Sequence, residues 1–212
     1  MPQVSLPEFL AVVQAGELVS FSTDTVPALA ALPAAGHRIY HLKQRSQAKP
    51  LILMGATMAD LWPYVAGTEA DRARWATVAE RYWPGALTLV LPASNHLPPA
   101  MNPNQTGSLG LRIPDHPLAR YLLERTGPLA STSVNRSGHP PLETLAAIGS
   151  EFPDLTLLSP AALADIYPSL GEPVPPLDRP QGSGQPSTVV AWQGDGWSVL
   201  RQGSVTFDPK GK

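Results

Sequence analysis

The sequence contains no cysteine. That absence excludes disulfides, thiolate zinc sites and cysteine nucleophiles, and it is compatible with a reducing, cytoplasmic setting. No apolar run approaches the ~20 residues that span a bilayer, so no membrane partner is expected. Met1-Pro2-Gln3-Val4-Ser5 has no charged head followed by an apolar core, and no signal peptide is read there. Charge of either sign is scarce and nearly balanced, with a formal net charge of -2. No global field therefore recruits nucleic acid or an anionic membrane, and any anion site has to be built locally.

Several catalytic templates are also missing. There is no Gly-rich phosphate loop ending in Lys-Ser/Thr and no dinucleotide fingerprint. There is no Gly-x-Ser-x-Gly elbow. His37 and His41 are the one pair at helical spacing among five histidines. They read as surface, so no metal site is expected. The aromatic residues are scattered, which leaves no platform for stacking single-stranded RNA.

What is present is proline, 25 residues of it, within a chain that is 43% hydrophobic. That combination favours many defined turns around a packed core rather than disorder. The length of 212 residues fits one domain, read as 1–204, with a C-terminal tail over 205–212.

Hydrophobic periodicity predicts helices over 6–15, 37–43, 58–65, 70–82, 118–125 and 142–152. It predicts strands over 18–21, 50–54, 86–92, 108–113 and 129–130, and a hairpin of 187–192 with 197–201. The Pro- and Gly-rich stretch 171–185 reads as a long loop or cover. Interleaved strands and helices, with hairpins as well as crossovers, indicate an α/β domain with a mixed sheet.

Five constellations stand out. Lys43-Gln44-Arg45, with Lys49 beyond, is a basic cluster at a helix end. It either complements the helix dipole or grips phosphate through a guanidinium fork and a point charge. Ser131-Thr132-Ser133-Val134-Asn135-Arg136-Ser137-Gly138 follows a buried strand. It is either a cap or turn, or a ligand loop at the strand's carboxyl end, where α/β sheets bind ligands. Ser22-Thr23-Asp24-Thr25 is either a plain turn or a source of hydroxyls. Arg112 ends a strand behind Ser108 and suits a carboxylate clamp. Pro186-Ser187-Thr188, with Arg201 on the next strand, is the weakest signal. From these residues alone, an enzyme using a nucleotide triphosphate and a non-catalytic binding module both remain open.

The order of these pieces resembles the YrdC-like family, the L-threonylcarbamoyladenylate synthases, in their short single-domain form. The resemblance runs from Leu6 to Arg201. Its signals are Phe-Ser-Thr-Asp-Thr-Val (21–26), Leu-Lys-Gln-Arg…Lys-Pro-Leu-Ile-Leu (42–53), Trp-Pro-Gly-Ala-Leu-Thr-Leu-Val-Leu (83–91), Leu-Arg-Ile-Pro-Asp-His-Pro (111–117) and Ser-Thr-Ser-Val-Asn-Arg-Ser-Gly (131–138). It implies an open, twisted mixed sheet with flanking helices around a positively lined cavity. It also implies a reaction in which ATP, L-threonine and bicarbonate give threonylcarbamoyl-AMP and pyrophosphate, with Mg²⁺ bridging phosphates. The product would modify a tRNA adenosine beside the anticodon, which makes tRNA or a downstream transferase the expected partner.

By motif match, Lys43 and Arg45 would be catalytic. ATP would meet Lys43, Arg45, Lys49, Ser108, Ser133, Asn135 and Arg201. Threonine would meet Thr25, Arg112, Ser131 and Ser187. The family's Pro-Thr-x-Thr-Val-Tyr-Gly-Leu-Gly reads here Ser22-Thr-Asp-Thr-Val-Pro27-Ala28-Leu29-Ala30, so this loop is expected to run differently. A member using another amino acid, or one that binds RNA or nucleotide without catalysis, is the alternative.

Overall fold

The computed structural model describes residues 2–176 and 178–208. Its elements, in chain order, are β1 (Gln3–Val4), α1 (Leu6–Gln14), β2 (Val19–Phe21), β3 (Ala28–Ala31), α2 (Gly36–Lys43), β4 (Ile52–Met54), α3 (Met58–Leu61), α4 (Glu69–Tyr82), β5 (Leu87–Pro92), β6 (Ser108–Arg112), α5 (Pro117–Thr126), β7 (Leu129–Ser133), α6 (Leu145–Glu151), β8 (Leu157–Leu158), α7 (Pro160–Ser169), β9 (Thr188–Trp192) and β10 (Trp197–Arg201). Eight strands form one sheet in the order β10-β9-β5-β6-β4-β7-β3-β2, and β1 pairs with β8 beside it. The pairs β4–β6 and β5–β9 are parallel and the others in the large sheet antiparallel, so the sheet is mixed.

The sheet's two faces have different fates. Leu29, Leu53, Leu87, Leu89, Leu91, Leu109, Leu111, Ala130 and Val190 all point to one face and join a core that includes Ile39 of α2 and Trp75 and Ala79 of α4. Side chains alternate along a strand, so their neighbours point to the other face. There, Phe21, Ala28, Ala30, Met54 and Leu129 are covered by Phe9 and Val13 of α1, by Leu118 and Leu122 of α5, and by Ile166 of α7. That cover is limited to the β2–β3–β7 side. Beyond it the same face carries Thr88, Val90, Ser108, Gly110, Arg112, Ser131 and Ser133, and these floor a cavity. Each fully buried leucine of the covered face contributes about 1.5–3 kcal/mol, so register here is strongly fixed.

Several elements, the paired β1 and β8 among them, depart from the sequence reading. Ala28–Ala31 is a buried strand between β2 and β7, not a loop. None of its residues takes a positive φ, so alanine replaces glycine there without strain. The strand at 129 continues to Ser133, so the polar Ser131-Thr132-Ser133 run lies inside the sheet. Helix α7 was unpredicted although its signals are ordinary: Ser159 caps it by accepting from the Ala162 N–H, and Pro160 occupies its first turn.

Of the expected tail, Phe207 is buried against Tyr82 and Trp197. Residues 209–212 lie outside the described residues. No helix among the described residues is long and apolar enough to cross a membrane.

Candidate functional site

The uncovered part of the sheet closes a cavity of about 540 Å³. Alternating residues from five strands make its floor, and the segments around Arg45–Ile52 and Pro186–Ser187 wall it. Gly110 sits in the middle strand of that floor. A Cβ there would meet Ile52 and Thr88 side chains at an ordinary 3.4 Å, so glycine serves to keep the floor low rather than to relieve strain. Four cations line the cavity, Arg45, Lys49, Arg112 and Arg201, and no Asp, Glu or His is among the lining residues.

Arg112 is nearly buried, at 5% exposure, and is bonded on three sides. Its Nε donates to the Gly85 carbonyl at 3.1 Å, Nη1 to Thr25 Oγ1 at 2.7 Å, and Nη2 to Asp24 Oδ1 at 2.6 Å. A guanidinium has five N–H groups, so two remain for a ligand. Burial pulls the Arg112 value below its ordinary level, and Asp24 opposes that pull. The hydroxyls beyond it have a fixed polarity. Thr23 Oγ1 donates to the Val26 carbonyl, so the Thr23–Thr25 contact at 3.1 Å must be donated by Thr25. Thr25 Oγ1 thus spends its proton on Thr23 and one lone pair on Arg112. It keeps one lone pair for a ligand hydroxyl or amine.

Arg45 and Lys43 diverge. Helix α2 ends at Lys43, and Gln44 takes a left-handed conformation with φ 50. Arg45 then turns along the cavity wall, donating Nε to the Lys49 carbonyl at 3.0 Å and Nη2 to the Pro50 carbonyl at 3.3 Å. Lys43 does not line the cavity. It is 1% exposed, and Nζ donates to the Ser133 carbonyl and, at 2.8 Å each, to the Asn135 carbonyl and Asn135 Oδ1. All three ammonium donors are used. Burial first, and the neighbouring Arg45 second, pull its value down to about 7. In this arrangement Lys43 ties helix α2 to the end of β7.

Asn135 likewise faces inward. Its Oδ1 accepts from Lys43 and from Ser133 Oγ at 2.7 Å, and its Nδ2 donates to the Arg136 and His139 carbonyls. Ser133 and Ser131 line the cavity, Ser131 Oγ donating to the Ile52 carbonyl at 3.3 Å.

On the far strands, Arg201 reaches the cavity through a bulge. Val199 pairs with Val190, but Arg201 pairs with Val189, so Leu200 is extra. The slip puts both Leu200 and Arg201 on the lining, the way bulges re-aim side chains near sites. Arg201 Nη2 donates to the Ser187 carbonyl at 2.8 Å, and Ser187 Oγ shares a 2.8 Å hydrogen bond with Thr88 Oγ1. The charge of Arg201 opposes those of both Arg45 and Arg112.

The Sua5/YciO/YrdC domain model, described as telomere recombination, matches residues 11–203. The chain belongs to this family. It is 37% identical to a threonylcarbamoyl-AMP synthase of Chromohalobacter salexigens over 74% of this chain and 85% of that protein. It is 32% identical to the threonylcarbamoyl-AMP synthase of Bacillus subtilis over 97% of this chain and 54% of that one. Among solved structures, P. abyssi Sua5 complexed with L-threonine superposes with a TM-score of 0.76 and 26% identity, covering 92% of this chain and 53% of that chain. The chain therefore spans about half the length of the Bacillus and P. abyssi relatives. The fold is also that of E. coli YciO, with a TM-score of 0.71 at 20% identity over 92% of this chain and 87% of that one.

For this Sua5/YciO/YrdC member, the sequence reading brought together Thr25, Arg45, Lys49, Ser108, Arg112, Ser131, Ser133, Ser187 and Arg201 around one cavity. Lys43 and Asn135 do not line it and are bonded inward instead, since helix ends and spacing do not say which way a side chain turns. The sequence reading missed Asp24 as the partner of Arg112, and Thr88 and Gly110 on the floor. Thr88 was findable as the one polar residue inside an otherwise apolar strand. Among the described residues no group of three or more His, Cys, Asp or Glu could hold a metal. With no carboxylate on the lining either, the residues present do not fit a protein-held Mg²⁺.

Proposed function

We propose that this chain makes L-threonylcarbamoyl-AMP and pyrophosphate from ATP, L-threonine and bicarbonate. The observation that carries the reading is one cavity with two chemically distinct ends. At one end Arg112 keeps two free N–H groups beside Thr25, which suits an amino-acid carboxylate and hydroxyl. At the other, Arg45, Lys49 and Arg201 offer cations without a competing carboxylate, which suits a triphosphate. Ser133 and Ser108 add hydroxyls on the nucleotide side, and Ser131 and Ser187 on the threonine side.

The chemistry asks little of a protein nucleophile. The threonine amine condenses with bicarbonate to a carbamate, with loss of one water. A carbamate oxygen attacks the α-phosphorus, the bond to the β-phosphate bridging oxygen breaks, and pyrophosphate leaves. Catalysis of this kind rests on positioning and on neutralising charge on the transferring group. In this reading Arg45, Lys49 and Arg201 neutralise that charge, while Arg112 and Thr25 fix the carbamate's carbon skeleton. Lys43 and Asn135 act through the backbone they hold. Magnesium would enter with the substrate, as MgATP. The product feeds threonylcarbamoyl modification of tRNA adenosine through a downstream transferase in the cytoplasm.

The test is to incubate the chain with ATP, bicarbonate and each amino acid in turn, and to read acyl-adenylates by mass. Threonylcarbamoyl-AMP with threonine alone is expected. An adenylate with a different amino acid, or none, overturns the reading.

A further inference from the structure

The Pro- and Gly-rich segment 171–185 before β9 contributes no residue to the cavity lining. It crosses the Ser22–Thr25 turn and is bonded to it. The Ser183 N–H donates to the Asp24 carbonyl at 3.0 Å, and the Gly184 N–H to the Thr25 carbonyl at 2.9 Å. Asp24 and Thr25 are the two residues whose side chains receive the Nη groups of Arg112. Gln181, 5% exposed, anchors the segment. Its Nε2 donates to the Pro176 and Arg179 carbonyls at 3.0 Å each, and its Oε1 accepts from Ser22 Oγ at 3.3 Å. Its own N–H donates to the Glu143 carbonyl at 2.8 Å, and the neighbouring Leu142 N–H donates to the Val134 carbonyl at 2.8 Å. The segment is thereby tied to the turn that carries Thr25 and to the chain that continues from β7.

Between these bonds lies Gly182, with φ +79. A Cβ there would stand 2.5 Å from both the Thr23 and the Thr25 carbonyl oxygens. Backbone oxygens cannot swing aside as a flexible side chain can. Any other residue at 182 has to lift the segment or push the turn, and the left-handed φ adds its own cost.

We propose that Gln181-Gly182-Ser183-Gly184 is a positioning clip for the amino-acid end of the cavity. It holds the backbone of Asp24 and Thr25 in register, and through their side chains it sets the direction of the two free Arg112 N–H groups. The proposal rests on the reading that this end takes the amino acid. The clip makes none of these bonds to Arg45 or Lys49, so its loss is felt by one substrate and not the other.

The experiment compares wild type with Gly182→Ala and, as a second variant that leaves backbone space untouched, Gln181→Met. The readouts are KM for threonine, KM for ATP, kcat for pyrophosphate release, and the urea midpoint as a check on folding. A misdirected clamp costs on the order of 10- to 100-fold in the affinity it serves. The expected result is a threonine KM raised by that factor, with the ATP KM held within about twofold, a split that general destabilisation does not produce. Two results overturn the clip: a threonine KM unchanged in folded variants, or parallel rises in both KM values. If wild type uses another amino acid, the functional reading falls, and the same KM ratio measured with that amino acid still judges the clip. If wild type uses none, both fall together.

Discussion

At one end of the cavity Arg112 is almost fully buried, held by a turn carbonyl, a hydroxyl and a carboxylate. At the other, Lys49 and Arg201 are exposed and Arg45 is half-buried, its nearest partners being backbone carbonyls of its own connection. The first end has its orientation fixed before any ligand arrives. It also has a nearby counter-charge, so it contributes direction more than attraction. The second end contributes attraction, because its cations face no carboxylate across the cavity. A site that must tell one amino acid from others gains from the first design. A site that must gather a highly charged triphosphate gains from the second.

The largest expected effect comes from breaking the buried end. Arg112→Met leaves Asp24, whose side chain is 15% exposed, without its partner. Removing one member of a buried pair costs about 3–5 kcal/mol. Urea denaturation should show that loss, and threonine-dependent pyrophosphate release should vanish. Arg112→Lys keeps the charge but not the fork, and it should restore part of the stability with little of the activity. Equal activity in wild type and Arg112→Lys would mean that direction is not what this end supplies.

The next effect separates two cations that are neighbours in sequence. Lys43→Met strips the ammonium from the Ser133 and Asn135 carbonyls, while Asn135 Oδ1 keeps Ser133 Oγ, and each buried acceptor left unpaired costs about 1–3 kcal/mol. Arg45→Ala should leave the urea midpoint nearly unchanged and raise the ATP KM about 10- to 100-fold, the worth of a charge-assisted hydrogen bond. If Arg45→Ala proves the destabilising one and Lys43→Met the purely kinetic one, the division drawn between wall and lining is wrong.

Lys43 also gives a pH signature. Its value in the folded chain, about 7, lies below the unfolded value near ~10.4. Between those limits the unfolded chain binds the proton more tightly, so stability from this group is full above ~10.4 and falls as pH drops to about 7. Wild type should therefore gain on Lys43→Met in urea midpoint as pH is raised from 7 to 9. A gap that stays flat would show that the three oxygens hold the ammonium against burial.

The same contrast explains what was legible in advance. The α/β class, the mixed sheet and most strands followed from apolar alternation, because the core faces of β5 and β6 are leucine-rich. Nine of the eleven residues named from motif order line one cavity. The rest depended on contacts distant in sequence. Whether Lys43 turned inward was decided by carbonyls 90 and 92 positions away. Asp24 meets Arg112 across 88 positions, and the clip meets its turn across 159. Ala28–Ala31 looked like a loop because alanine carries no strand signal. It is a strand because small side chains fit between β2 and β7.

The smallest and most discriminating effect is that of salt. Exposed charges are screened over a Debye length of about 10 Å at 0.1 M and about 3 Å at 1 M, while buried pairs are screened much less. Raising potassium chloride from 0.05 to 0.5 M (values chosen to span about 14 to 4 Å of screening length) should weaken the exposed end first. The ATP KM should rise several-fold while the threonine KM moves little, since Arg112 is itself nearly buried. The Arg45→Ala variant should show a shallower salt response for ATP than wild type, because one of the screened charges is already gone. If threonine and ATP respond to salt in parallel, the two ends share one electrostatic environment through Arg201, which both Arg45 and Arg112 feel. The cavity would then act as a single basin rather than as a directed end and an attracting end.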